Sequence, residues 1–189
     1  MTTTESKQPE NQSRPSIWHT VGAYLSLAVV AGTVIILDQV TKDWVRDHLA
    51  LGESWRPFSW LPDYVRIVNW HNSGSAFGLF QGGGGIFAIL AVIVTLMIIF
   101  YFPRLQRGDW ALRVAMGLQL GGALGNLLDR LQHNLMVTDF VAIGSFPVFN
   151  VADTAITFGV IILFISIWLG NGSESEHKAE LGKEHAASE

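Results

Sequence analysis

Two stretches of this chain, residues 17–37 and 82–102, contain no Asp, Glu, Lys or Arg, and each has about the twenty residues a helix needs to cross hydrocarbon. A backbone in lipid finds no water to bond, so such runs must satisfy their own N–H and C=O groups as helices. Two further runs, 110–128 and 151–169, are shorter and more polar, the first carrying Arg113, Gln119 and Asn126 and the second opening with Asp153. Trp18, Tyr101, Trp110 and Trp168 stand at the ends of these runs, where aromatic rings anchor spans at the interface. The sequence predicts an all-α integral membrane protein with four transmembrane helices.

Charged residues make up only 15% of the chain, and many of them lie in the polar segments 1–16 and 171–189, which read as disordered tails. The membrane domain is then 17–170. The first apolar run is too long for a secretory leader and ends in Leu37-Asp38-Gln39 with no small-x-small cleavage pattern, so it is expected to be retained. Four spans leave both tails on one side. Arg104 and Arg107 crowd the short loop on that side, and short basic loops stay in the cytoplasm. The longer loops, 38–81 and 129–150, then face outward. Residues 63–70 of the first loop, rich in β-branched and aromatic side chains, predict a small extracytoplasmic β-element there. Gly117, Gly121 and Gly125 recur every four residues, a pattern that lets helix backbones approach closely in lipid.

With that topology the unusual polar residues gather at the outward ends of the spans. Asp38, Gln39, Thr41 and Lys42 follow the first span; Asn72, Gly74, Ala76, Phe77 and Gly78 precede the second; Asn126, Asp129 and Arg130 close the third. Asp139 lies in the second loop, and Asn150 and Asp153 open the fourth span. Ionisable groups near membrane depth are costly and mark functional sites. Each acid also has a plainer reading. Asp38 and Lys42 form an i,i+4 pair if the helix continues, Asp129 anchors a helix end beside Arg130, Asp153 is a helix N-terminal carboxylate, and Asp139 is a turn former.

Other chemistries lack their residues. The absence of cysteine removes thiol nucleophiles and Cys-ligated metals. His19, His48, His71 and His133 fall at no metal-ligand spacing, and Gly82 to Gly85 lack the Lys-Ser/Thr of a phosphate loop. A Ser/Lys dyad would have to draw Ser73 or Ser75 from a loop toward Lys42. No basic stripe exists for nucleic acid. No metal or cofactor is expected, and paired aspartates are the best chemistry on offer. A proton-coupled transporter is the main rival, although a relay would spread its acids over both halves of the bilayer; a scaffold that binds without cutting is a third reading.

Taken in order, Asp38-Gln39-Val40-Thr41-Lys42, the 72–78 segment Asn-Ser-Gly-Ser-Ala-Phe-Gly, the 121–130 segment ending Gly125-Asn126-Leu127-Leu128-Asp129-Arg130, Val137-Thr138-Asp139-Phe140 and Phe149-Asn150-Val151-Ala152-Asp153 resemble the bacterial lipoprotein signal peptidase (signal peptidase II) family. The resemblance implies four transmembrane helices in the bacterial cell membrane, cytoplasmic termini, an extracytoplasmic active site and a β-cradle from the first loop. It implies an aspartic endopeptidase whose partners are membrane lipid and the signal peptides of diacylglyceryl-modified prolipoproteins, cut just before the lipidated cysteine. Asp139 and Asp153 match the family's catalytic pair. Asn72, Gly74, Asn126, Asp129, Arg130 and Asn150 match residues that bind substrate or shape the site, and Asp38 and Lys42 would support the frame. Thr138 stands where the family commonly has Val, and 141–148 is short for a loop that covers the site.

Overall fold

A computed structural model describes residues 17–74, 82–105 and 108–186, with side chains from residue 21 to residue 169. Segment 1–16, the side chains of 171–189, Ser75 to Gly78 and Arg107 lie outside the described side chains, as do the rings of Trp18 and His19. The elements run α1 (Ile17–His48), β1 (Ser54–Trp55), β2 (Val65–Asn72), α2 (Gly84–Tyr101), α3 (Trp110–Gln132), β3 (Val137–Ile143) and α4 (Val151–Ala186). A 3-10 turn at Phe102–Arg104 closes α2, with Pro103 near its start.

The burial pattern is the reverse of a soluble protein's. Large apolar side chains point outward, among them Leu25, Val29 and Ile36 of α1, Ile86, Ile93 and Phe100 of α2, and Ile161, Phe164 and Trp168 of α4. Patches of this size are stable only against lipid or a partner. Among the described residues three helices are long and apolar enough to cross a membrane: Val21–His48, Gly84–Arg104 and Val151–Leu169. The expected third span, α3, falls short because it carries Arg113, Gln119, Asn126, Asp129 and Arg130. It packs against the other three helices and buries Asn126, Asp129 and Arg130 among them.

Small residues make that central position possible. A Cβ on Gly121 would stand 2.6 Å from Val34 Cβ and 2.8 Å from the Ala31 carbonyl, and one on Gly117 would stand 2.7 Å from Val30 Cβ. The glycine repeat therefore packs α3 onto α1.

The helix of the first run continues about three turns past residue 37, carrying Asp38, Lys42 and Arg46 as one line along its side. At its end Val45 and Leu49 pack with Phe140 of β3 and seat the sheet on the bundle. The sheet is antiparallel in the order β1-β2-β3. The β-element of the first loop is present, but its third strand comes from the second loop, where the sequence placed Asp139 in irregular chain. The reason is burial on both faces: from Val137 to Phe140 every side chain is buried, so the polar alternation that marks a half-buried strand is missing.

The register contains one irregularity with consequences. Ile67 pairs with Val141 and Trp70 with Asp139, so β2 spends one more residue than β3 over the interval. An extra residue switches which side chains share a face. Because of it, Asn72 rather than His71 lies on the face of Asp139.

Crowding at the glycines gives a direct check. Gly121→Ala should cost about 1–3 kcal/mol through overpacking, read as a lowered unfolding temperature in detergent. Gly32→Ala, with nothing within 4 Å of the added carbon, should leave that temperature unchanged or slightly raised.

Candidate active site

Lys42 is fully buried. Its Nζ lies 2.8 Å from Asp38 Oδ2 and 3.3 Å from Asp129 Oδ2 and donates to Asn126 Oδ1 at 2.9 Å, so all three ammonium hydrogens have acceptors. Gln39 Nε2 adds bonds to Asp38 Oδ2 at 3.0 Å and to the Gly125 carbonyl at 3.1 Å. The other Asp38 oxygen accepts the Ala152 amide at 3.0 Å, satisfying one of the N–H groups that the first turn of α4 cannot satisfy itself. This cluster joins α1, α3 and α4. It also removes the Ser/Lys reading, since the ammonium is already committed.

Asp129 carries the tie onward to the sheet. Its Oδ2 accepts the Thr138 amide at 2.8 Å, while Arg46 Nη1 reaches Asp129 Oδ1 at 3.4 Å and donates to Thr138 Oγ1 at 2.7 Å. Thr138, the departure from the family's Val, thus has a buried partner for its hydroxyl. The residue just before Asp139 is held by α1 and α3 together.

Asp139 and Asp153 have different surroundings, made of neutral amides. Asn72 Nδ2 donates to Asp139 Oδ2 at 2.9 Å and Asn150 Nδ2 to Asp139 Oδ1 at 2.7 Å. Asn126 Nδ2 donates to Asp153 Oδ1 at 2.8 Å. Asn150 and Asp153 also form a reciprocal capping box at the start of α4. The Asp153 amide donates to Asn150 Oδ1 at 2.9 Å, and the Asn150 amide donates to Asp153 Oδ2 at 3.2 Å. Asn72 is itself oriented by the Gly74 amide, which donates to its Oδ1 at 2.9 Å. Asn150 therefore touches both acids, and the helix cap is part of the site.

Burial, and after it the charge of Asp153, pushes the Asp139 carboxyl up to about 7 from its ordinary 3.8. The hydrogen bonds from Asn72 and Asn150 oppose this without cancelling it. Near neutral pH such a group exchanges its proton readily, as general acid–base chemistry requires.

Both acids face a cavity of about 770 Å³. Its polar end holds Asn72, Gly74, Asn126, Arg130, Asp139 and Asp153; its walls are Phe87, Leu90, Val94 and Ile156, and Phe146 to Phe149 border it. Arg130 presents the cation of this end, donating to the Asn126 carbonyl at 3.2 Å, with its Cζ 5.5 Å from the centre of the Phe87 ring. Of the residues expected from sequence, those six line the cavity. Asn150 stands behind the two acids, and Asp38, Lys42 and Asp129 form the layer behind α3. The short 141–148 segment still reaches the cavity border through Phe146, Pro147 and Val148. Sequence reasoning named Gln39 without giving it a role and passed over Arg46, which was detectable as the third member of the four-residue spacing begun by Asp38 and Lys42.

The buried ion cluster should dominate stability. Lys42→Met leaves two buried carboxylates short of a cation and should cost about 3–5 kcal/mol, measured as thermal unfolding in detergent. The double change Lys42→Met with Asp38→Asn should recover part of that loss.

A sequence profile described as Signal peptidase (SPase) II matches residues 30–169. The lipoprotein signal peptidase of Anoxybacillus flavithermus is 37% identical over 173 residues, covering 85% of this chain and 99% of its own. That of Geobacillus kaustophilus is 42% identical, covering 74% of this chain and 90% of its own. Among solved structures, a bacterial membrane enzyme superposes with a TM-score of 0.71 at 31% identity, covering 78% of this chain and 90% of that one.

Proposed function

Because the chain belongs to the signal peptidase II family, it removes signal peptides from prolipoproteins, and we propose that it does so as an aspartic endopeptidase in which Asp139 and Asp153 are the catalytic pair. The observation that carries this reading is the contrast among Asp38, Asp129, Asp139 and Asp153. Asp38 and Asp129 are committed to Lys42 and Arg46, whereas Asp139 and Asp153 face the cavity and are held by neutral amides.

Two carboxylates facing one small space share a proton, because ionising both is unfavourable. Asp153, at the N-terminal turn of α4, sits where helix amides favour negative charge, and it takes the proton of the attacking water. Asp139 keeps its proton near neutrality and donates it to the scissile carbonyl oxygen. The pair then protonates the departing amine. Asn72, Asn126 and Asn150 orient the two acids, and Arg130 faces the substrate backbone. No covalent intermediate is needed.

The substrate is a precursor whose cysteine carries a diacylglyceryl group. Its acyl chains remain in lipid, each buried CH₂ contributing about 0.8 kcal/mol of anchoring, so the bond must be cut at the interface. In this reading all four helices cross the membrane, α3 shielded from lipid by its neighbours, with the termini in the cytoplasm and the cavity's polar end at the extracytoplasmic face. Acids gathered at one end of the bundle also argue against a proton relay.

Asp139→Asn and Asp153→Asn should each lower kcat on a lipidated precursor by about 10²–10⁴, with the fold retained. Full cleavage by both would sink the dyad. The form with Asp139 protonated is lost as pH rises through about 7, so kcat/KM should fall on the alkaline side of neutrality. A rate that stays flat to pH 9 would contradict the assignment of Asp139 as the acid. An unlipidated precursor cut as fast as the lipidated one would remove the diacylglyceryl requirement.

A further inference from the structure

Three polar side chains of the cavity have no role in the dyad reading, and of these Thr154 and Thr157 spend their hydroxyls on the Asn150 and Asp153 carbonyls, which leaves Gln119. Gln119 shares a face of α3 with Ala123, Asn126 and Arg130, and all four line the cavity; spacings of four, three and four residues keep them in one stripe. Its stem passes over Gly159 of α4, where an added Cβ would stand 2.8 Å from Gln119 Cγ. Among the described residues its amide has no hydrogen-bond partner. The surrounding wall is apolar, with Leu90, Val94, Ile156 and Phe158. A primary amide offers two donors and an acceptor, and leaving them unmatched among hydrocarbon is unfavourable.

Depth identifies what the amide meets. Gln119 is seven residues before Asn126, a distance of about 10.5 Å along α3 away from the acids. A peptide bond attacked between two carboxylates must lie in extended chain, and three extended residues cover about 10 Å. An apolar signal helix approaching the site from within the bilayer therefore ends close to the level of Gln119. Its last four carbonyls have no partner inside the helix, and hydrocarbon supplies no water for them. The cavity wall accepts the helix's side chains, and the Gln119 amide matches its free carbonyls.

We infer that Gln119 caps the C-terminal turn of the substrate's signal helix, donating to carbonyls freed where the helix unwinds into the cleavage site. This rests on the proteolytic reading above. It makes Gln119 a binding residue that measures where the helix stops relative to the scissile bond.

The test compares the wild-type protein with Gln119→Leu on two substrates: a full lipidated precursor, and a short lipidated peptide that begins a few residues before the cysteine and has no helix. With the full precursor, KM should rise about three- to tenfold, the worth of one hydrogen bond, while kcat and the alkaline limb stay unchanged. The short peptide should be cut equally well by both proteins. Thermal stability should be equal or higher in the variant, since an unpartnered amide has been removed. An equal loss on the short peptide would assign the amide to the lipid's ester groups or to folding and overturn the cap, and an unchanged KM on the full precursor would overturn it as well. Failure of the wild-type protein to cut either substrate would overturn the proteolytic reading and the cap with it.

Discussion

Lys42 stands where α1, α3 and α4 meet, its ammonium buried between the carboxylates of Asp38 and Asp129. Charges taken out of water are tolerable only in each other's company, and removing one partner leaves the rest uncompensated. Both acids also accept backbone amides: Asp38 that of Ala152 and Asp129 that of Thr138. Ala152 precedes Asp153, and Thr138 precedes Asp139. One ion cluster thereby sets the position of the two chain segments that bring the proposed dyad together.

The same cluster explains how Asp38, Asp129, Asp139 and Asp153 divide into two kinds. Acids opposed by cations hold the frame, and acids opposed by neutral amides face the cavity. Asparagine suits the second task because it orients a carboxylate without adding a charge that would fix its ionisation. Asn126 serves both kinds at once, accepting from Lys42 and donating to Asp153. Asn150 extends the arrangement, since it caps α4 and bridges the two acids. Helix initiation and site geometry are here a single set of hydrogen bonds.

Lipid as solvent accounts for the shape of the helical part. With no hydrophobic drive between helices in hydrocarbon, association depends on close packing of small residues and on interhelical polar contacts. Gly117 and Gly121 supply the first against α1, and the Lys42 cluster supplies the second. Enclosed in this way, α3 carries polar residues that a lipid-facing helix could not, and the cavity opens along its stripe from Arg130 to Gln119.

Much of this was legible from sequence. Runs without charge are helices in lipid by necessity, the β-branched segment at 63–70 became β2, and Asp38 with Lys42 at four-residue spacing became an ion pair because helical geometry leaves little choice. The list of polar residues that would gather at one end of the bundle was also readable, because spans of known length return their ends to the same face. What sequence left open were features decided between segments distant along the chain. Strand β3 was hidden because burial on both faces erases alternation. The extra residue in β2 that turns Asn72 toward Asp139 is a property of pairing, invisible in either strand alone. Which aspartates meet cations and which meet amides depends on how α1, α3 and α4 cross, and a local pattern contains no information about its partners across the fold. Sequence by itself determined a membrane chain with polar residues at one end of its helices; tertiary packing decided which of those acids meet cations and which meet amides beside a cavity, because that depends on the neighbours each one acquires.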